Sequence, residues 1–318
     1  MAQLRGGIDL GGTKIQAIVA DESHQVVGQA RRPTPTTGGP DDVIAALVEA
    51  QQEAALAAGV KTSELLGIGL GSPGDVESGA GTIGNAGNLP NWHEPVPVAS
   101  LLGERLGASV KIGNDVSVAT RAEFELGAGK EFRSLLGVFW GTGVGGGIIL
   151  NGEEWHGRGA AGEIGHMVVR RGGALCPCGR HGCMEAYSGR KAMELEARRR
   201  HDDGDATDLF KLMEKHNRDR LTSGIWQRAL DAEDKLALHL FDRAYEALGA
   251  GVASAVNLLD IEAVVLGGGL GVRFGEQAAS RLVSEMHPHL FNDDRPPVVR
   301  VAALGDFGGA LGAAMLVP

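Results

Sequence analysis

The sequence predicts an α/β protein built from two related halves. Three observations carry that expectation. A strand, a glycine-rich turn and a second strand occur at "LRGGIDLGGTKIQAIVAD" and recur at "LLGVFWGTGVGGGIILNG". Segments of helical period lie between the strands. A chain of 318 residues is too long for one small domain and fits two.

The elements follow in order. Ile8 and Leu10 precede the turn Gly11-Gly12-Thr13, and Ile15, Ala17 and Val19 alternate after it. "QVVGQARRPT" reads as a third strand. Residues 41–58 place Val43, Leu47, Ala50 and Ala54 on one helical face, with Asp41 as the expected N-cap and Gly59 as the stop. "LLGIGLGSPG" is a buried strand running into a Gly/Pro loop. "SVKIGNDVSVATRAEF" is a strand followed by a helix, with Asn114-Asp115 at the junction. Sliding Ile8–Ile15 along the chain onto Thr142–Ile149 overlays the glycines of the two strand–turn–strand units. Further on, Leu236, Leu240, Ala244, Leu248, Val252 and Val256 recur at steps of four, the mark of a long buried helix. "EAVVLGGGLG" is a strand ending in glycines, and the last residues form a helix of small side chains. Residues 198–235 read as a helical insertion.

Composition narrows the function. A hydrophobic content of 43% with 22% charged residues is that of a globular protein. The net charge of -10 argues against nucleic acid as the main partner, because a polyanion is bound by a basic surface. No signal core opens the sequence and no apolar run reaches membrane-spanning length, so a cytoplasmic protein with reduced thiols is expected.

Three strand-to-glycine transitions, at Asp9–Lys14, Gly141–Gly147 and Gly267–Gly271, offer converging backbone N–H groups to an anion such as phosphate. Ordinary tight turns use glycine in the same way. A P-loop is absent. "GTGVGG" has the G-x-G-x-x-G spacing, but "GIILNG" follows it as a strand, where a dinucleotide site requires a helix. Asp9 sits just before the first turn. A carboxylate beside phosphates is repulsive unless a cation intervenes, so its expected role is to hold the water shell of Mg²⁺. The alternative is a turn-capping aspartate.

All three cysteines fall within "CPCGRHGC". In a reducing compartment this C-x-C-x4-C cluster reads as a metal site before a disulfide. Tetrahedral zinc needs a fourth ligand, and from spacing alone both His181 inside the loop and His166 before it qualify. The metal-free alternative is three reduced thiols in a Gly-rich loop.

Motifs spread along nearly the whole chain resemble those of the ROK family of sugar kinases and sugar-responsive repressors: "GIDLGGTK", "GSPGDVESG", "GNLPNW", "GNDVSVAT", "GTGVGGGI", "AAGEIGHM", "CPCGRHGCMEAYSG", "VVLGGGL" and "GALGAAM". The EIGH and cysteine motifs are the most specific. Ile261 departs from the pattern, standing where many relatives have proline. The resemblance implies a two-lobed ribonuclease H-like fold of the actin/hexokinase type with a zinc-stapled loop. The small domain is then residues 1–117 completed by a C-terminal helix at 301–318, and the large domain is 118–300. It implies ATP-dependent phosphorylation of a hexose 6-hydroxyl, most simply glucose to glucose 6-phosphate. Mannose, fructose, N-acetylglucosamine or N-acetylmannosamine are the alternative acceptors, and polyphosphate is an alternative donor.

The family's roles carry over residue by residue. Asp115 becomes the catalytic acceptor of the hydroxyl proton, its alternative being a helix N-cap. Asn88, Asn114, Asp115, Glu163, His166 and Glu185 become sugar contacts. Asp9, Gly11, Gly12, Thr13, Lys14, Gly141, Thr142, Gly143, Gly268 and Gly269 become the nucleotide side. His166, Cys176, Cys178 and Cys183 become the zinc ligands. Homo-oligomers, dimers or tetramers, are expected. A DNA-binding repressor of this family carries an N-terminal helix-turn-helix, for which nine residues before the first turn leave no room. A sugar sensor without catalysis is the remaining alternative.

Overall fold

The computed structural model describes residues 3–318. Packing divides them into two units: the chain up to Lys130 with Glu154–Ala161 and Ala303–Pro318, and Glu131–Glu153 with Gly162–Ala302.

The first unit opens with an antiparallel meander, β1 (Arg5–Leu10), β2 (Lys14–Ala20) and β3 (Val26–Pro33). Helix α1 (Pro40–Ala57) buries Val43, Leu47, Ala50 and Ala54, the face its periodicity predicts. Its N-cap is Gly39 rather than Asp41. The Asp42 carboxylate accepts the Gly39 N–H at 2.9 Å, and Pro40 opens the helix where no N–H is needed. Strand β4 (Ile68–Ser72) pairs parallel with β1, followed by the hairpin β5 (Asp75–Glu77) and β6 (Thr82–Gly84). Helix α2 (Val98–Leu106), strand β7 (Val110–Asn114), parallel to β4, and helix α3 (Asp115–Glu125) complete this run. The sheet order is β3-β2-β1-β4-β7.

In the second unit, β8 (Leu135–Trp140) and β9 (Val144–Leu150) form a hairpin, with β10 (Glu153–Glu154) beyond β9. The short α4 (Glu185–Ser188) leads to α5 (Arg190–Asp202). The insertion continues as α6 (Leu209–Lys215) and α7 (Ser223–Asp231), helical as its composition predicts. Helix α8 (Lys235–Leu259) buries all six residues of the step-of-four row. Strand β11 (Ala263–Gly267) pairs parallel with β8, α9 (Gly268–Met286) follows it directly, and β12 (Val298–Val301) pairs parallel with β11. The core centres on Trp140, whose ring meets those of Tyr245 at 5.1 Å and Phe241 at 5.7 Å. Helix α10 (Gly308–Ala314) then closes the first unit against β1, β4 and α3.

The second sheet runs β10-β9-β8-β11-β12, the same succession of hairpin and parallel crossovers as the first. The halves are therefore related, but not in the register that the glycines suggest. The turn after β1 corresponds to the turn after β8, so Leu10 matches Trp140 and Lys14 matches Val144. Overlaying Ile8–Ile15 on Thr142–Ile149 puts the first turn on glycines inside β9. Gly146 is there for another reason: a Cβ would press on the Gly162 carbonyl and Ile164. The expected domain boundary at residue 117 lies inside α3, whereas the packing keeps the whole of α3 with α10 in the first unit.

Glu123 of α3 is 2% exposed. Its carboxylate accepts the N–H groups of Ala128 at 2.9 Å, Ala303 at 3.0 Å and Leu304 at 2.9 Å. Three N–H donors satisfy a buried charge that would otherwise be costly. No described helix is long and apolar enough to cross a membrane.

Candidate functional site

In the first unit, Asp9 near the end of β1 lies beside Gly71 of β4, and Ser72 lies beside Asn114 at the end of β7. Asp9, Asn114 and Asp115 therefore collect at the carboxyl edge of the parallel strands, where open α/β sheets bind ligands. The Asn114 side-chain oxygen accepts from Val116 N at 3.1 Å and Ser117 N at 3.0 Å, so Asn114 is the cap of α3. Asp115 is the first helical residue, and its Oδ1 also accepts from Val116 N at 2.9 Å. The N-cap position expected of Asp115 is thus held by Asn114, while Asp115 shares one first-turn N–H with it.

The turn after β1 is held from behind. The Thr34 hydroxyl donates to the Gly11 carbonyl at 2.6 Å, and the Thr34 N–H donates to that of Thr13 at 3.2 Å. The N–H groups of Gly12 and Thr13 have no acceptor among the described residues. Such consecutive free donors form an anion-binding concavity. Asn88 packs on this turn, since a Cβ on Gly12 would come 3.3 Å from that of Asn88. Lys14 pairs with Asp306, which Arg31 also meets at 3.3 Å.

Loss of hydration pushes the Asp9 pKa up to about 6, against the pull of Lys14 and with a further push from Asp306. The sign of the stability effect follows. The folded chain holds this proton more tightly than the unfolded chain, so the cost of the charge is present above pH 6 and fades as pH falls toward 4. Holding the charge at neutral pH costs on the order of 2–3 kcal/mol. Asp9→Asn should accordingly raise the thermal midpoint by a few degrees, roughly, in metal-free buffer. A fall in the midpoint would show that the carboxylate stabilises the fold.

In the second unit, the turn Gly141–Gly143 is also braced from behind. The Arg190 N–H donates to the Gly141 carbonyl at 3.1 Å and the Lys191 N–H to that of Thr142 at 3.0 Å. Thr142 and Gly143 are left with N–H groups that have no acceptor among the described residues. The third glycine stretch lies against this turn: a Cβ on Gly141 would sit 3.5 Å from Gly269 N. Gly268 has φ +79° and abuts the Trp140 backbone, so two separate reasons require glycine there. Glu185 Oε2 accepts from Val144 N at 2.8 Å beside Gly143, which fixes that carboxylate to the turn.

Four side chains converge near the 3₁₀ turn Ile164–His166 and the cysteine loop. The ligand atoms of His166, Cys176, Cys178 and Cys183 all lie within 4.8 Å of one another. Cys178 and Cys183 sulfurs are 3.8 Å apart, and Cys176 Sγ is 3.7 Å from His166 Nδ1. A tetrahedron with Zn–S bonds of about 2.3 Å has edges of about 3.8 Å. The donor set and its spacing therefore fit a closed Cys₃His zinc site, whereas a disulfide requires about 2.05 Å. His181 points its Nδ1 at the Gly173 carbonyl, 3.0 Å away, and is outside the cluster. The other ring nitrogen of His166 lies 3.8 Å from Glu163 Oε2.

Thr34, Asp306 and Arg190 escaped the sequence reading. Their partners lie far along the chain, and nothing local in "RRPTPTTGG" or "SGRKAM" marks them.

The ROK family profile matches residues 5–318. A glucokinase of Halalkalibacterium halodurans is 32% identical over 318 residues, covering 98% of this chain and 94% of that one. An N-acetyl-D-glucosamine kinase of Pectobacterium atrosepticum is 33% identical, with 98% and 97% covered. The crystal structure of a ROK family glucokinase from Streptomyces griseus in complex with glucose and AMPPNP superposes with a TM-score of 0.84 at 29% identity, covering 99% of each chain.

Proposed function

The chain belongs to the ROK family, and from that premise we propose that it is a hexose kinase that transfers the γ-phosphoryl group of ATP to the 6-hydroxyl of glucose. The observation that carries the reading is the gathering of Asp9, Asn114 and Asp115 at one sheet edge in a chain similar end to end to glucokinases. In this reading the acceptor oxygen bonds to the γ-phosphorus as the bond to the β-phosphate oxygen breaks, and Asp115 takes the hydroxyl proton. Asn88, Asn114, Glu163, His166 and Glu185 hold the sugar hydroxyls. Gly11–Lys14, Gly141–Gly143, Gly268 and Gly269 face the nucleotide, and Asp9 holds the water shell of Mg²⁺.

His166, Cys176, Cys178 and Cys183 would hold a structural zinc. Its contribution is to pin a polar, Gly-rich loop that has little apolar surface with which to order itself. The metal would also set the ring of His166, whose second nitrogen faces Glu163. A cytoplasmic location and a homo-oligomeric assembly complete the proposal; light scattering measures the second.

The similarity to an N-acetyl-D-glucosamine kinase makes the C2 substituent the point to test. Glucose, mannose, fructose, N-acetylglucosamine and N-acetylmannosamine should be compared with ATP, and with polyphosphate as the second donor. Glucose with ATP is expected to give the highest kcat/KM. A higher value for an N-acetylated sugar would reassign the substrate and leave the phosphoryl chemistry standing.

A further inference from the structure

Arg190 has no part in the roles assigned above, yet its side chain bonds directly to the second glycine turn. It opens α5, and its half-buried guanidinium donates to the Leu221 carbonyl at 3.0 Å and to Thr142 Oγ1 at 3.0 Å. Both acceptors are neutral. Among the described residues no carboxylate lies within ion-pair distance of Arg190. Its nearest acidic neighbour on α5, Glu194, is committed to Arg198 at 2.6 Å and to Leu221 N at 2.9 Å. Burial and the positive charge of Arg220 hold its pKa below the usual guanidinium value, against a weaker pull from Glu194. An arginine in this position keeps its charge and needs an anion to offset it.

The hydrogen bond to Thr142 has a chemical consequence. Its hydroxyl oxygen accepts from a cation, so its proton is directed elsewhere. Beside it stand the Thr142 and Gly143 N–H groups, which have no acceptor among the described residues. The turn thus presents three donors with a half-buried positive charge beside them.

We infer that Arg190 is a positioning residue for the nucleotide: it fixes the Thr142 hydroxyl as a donor and places a positive charge with no direct ion-pair partner beside the turn that receives a phosphate of ATP. This rests on the kinase reading. The turn already has its carbonyls fixed by the Arg190 and Lys191 N–H groups, which survive a side-chain change. The guanidinium therefore acts on the hydroxyl and the charge, not on whether the turn forms.

The test compares wild type, Arg190→Lys, Arg190→Gln, Thr142→Ala and the Thr142→Ala/Arg190→Gln double variant. KM for ATP, KM for the hexose, kcat and the thermal midpoint are read for each. Arg190→Gln should raise KM for ATP about tenfold, the scale of one lost charge-assisted hydrogen bond. KM for the hexose should stay within about twofold. Arg190→Lys should recover part of the loss. In the Thr142→Ala background the arginine change should cost less than it does alone, because part of its effect passes through that hydroxyl. An unchanged KM for ATP in Arg190→Gln overturns the inference, as does a parallel rise of both KM values with a collapsed midpoint. A wild type that turns over no hexose with ATP removes the kinase reading itself, and that result is in hand before any variant is compared.

Discussion

Asp115→Asn should leave hexose binding near its wild-type value and lower kcat by about 10²- to 10⁴-fold, the usual cost of losing a positioned proton acceptor. A carboxylate is a weak base for an alcohol. In a loose phosphoryl-transfer transition state the proton leaves late, so aiming the hydroxyl at phosphorus matters as much as basicity. Asparagine keeps the size, can still accept from Val116 N, and loses the charge. The structure also removes the main confounding effect. Asn114, not Asp115, caps α3, so the substitution leaves the helix start intact and the thermal midpoint should hardly move. Binding is read calorimetrically with glucose and turnover with a coupled ADP assay. A kcat near wild type would sink the assignment of Asp115 as proton acceptor.

Removing the metal should produce the other large effect. The purified protein should carry about one zinc per chain. Chelation, or Cys178→Ser, should lower the thermal midpoint on the order of ten degrees and weaken hexose binding in the same step. The two losses are coupled through His166, whose Nδ1 faces Cys176 and whose other nitrogen faces Glu163. A bound metal would fix the cysteine loop and the imidazole together. Serine at 178 is nearly isosteric but is a poor zinc ligand, so lost packing would not explain a large change. Metal analysis that finds no zinc, or chelation that lowers stability while leaving hexose affinity untouched, would separate the two halves of this expectation and refute the joint one.

Much of this arrangement is legible in local sequence, because its causes are local. Glycine turns between alternating strands, a step-of-four apolar row and three thiols in one short loop each state their own constraint. The register of the repeat was not legible. Gly146 looks like a turn glycine but is small because the Gly162 carbonyl presses on it from a later segment. Spacing alone leaves His166 and His181 open; the family resemblance favours His166, and the fold turns His181 toward Gly173. Arg190 reaches Thr142 across 48 positions, and Glu123 reaches Leu304 across 181. Such pairings leave no spacing signal, and a polar residue on a helix reads as a solvated face until its partner is seen.

The last helix has a consequence for biosynthesis. Gly7 and Gly69 are bare because the backbone of Ala310 and Ala313 lies directly on them, and Gly312 in turn lies on Val118. The first unit is thus completed by residues 303–318, which are synthesised after all of the second unit, itself mostly contiguous. A nascent chain can therefore complete the second unit before the first, and β1 and β4 stay open to wrong partners until residues 303–318 have emerged.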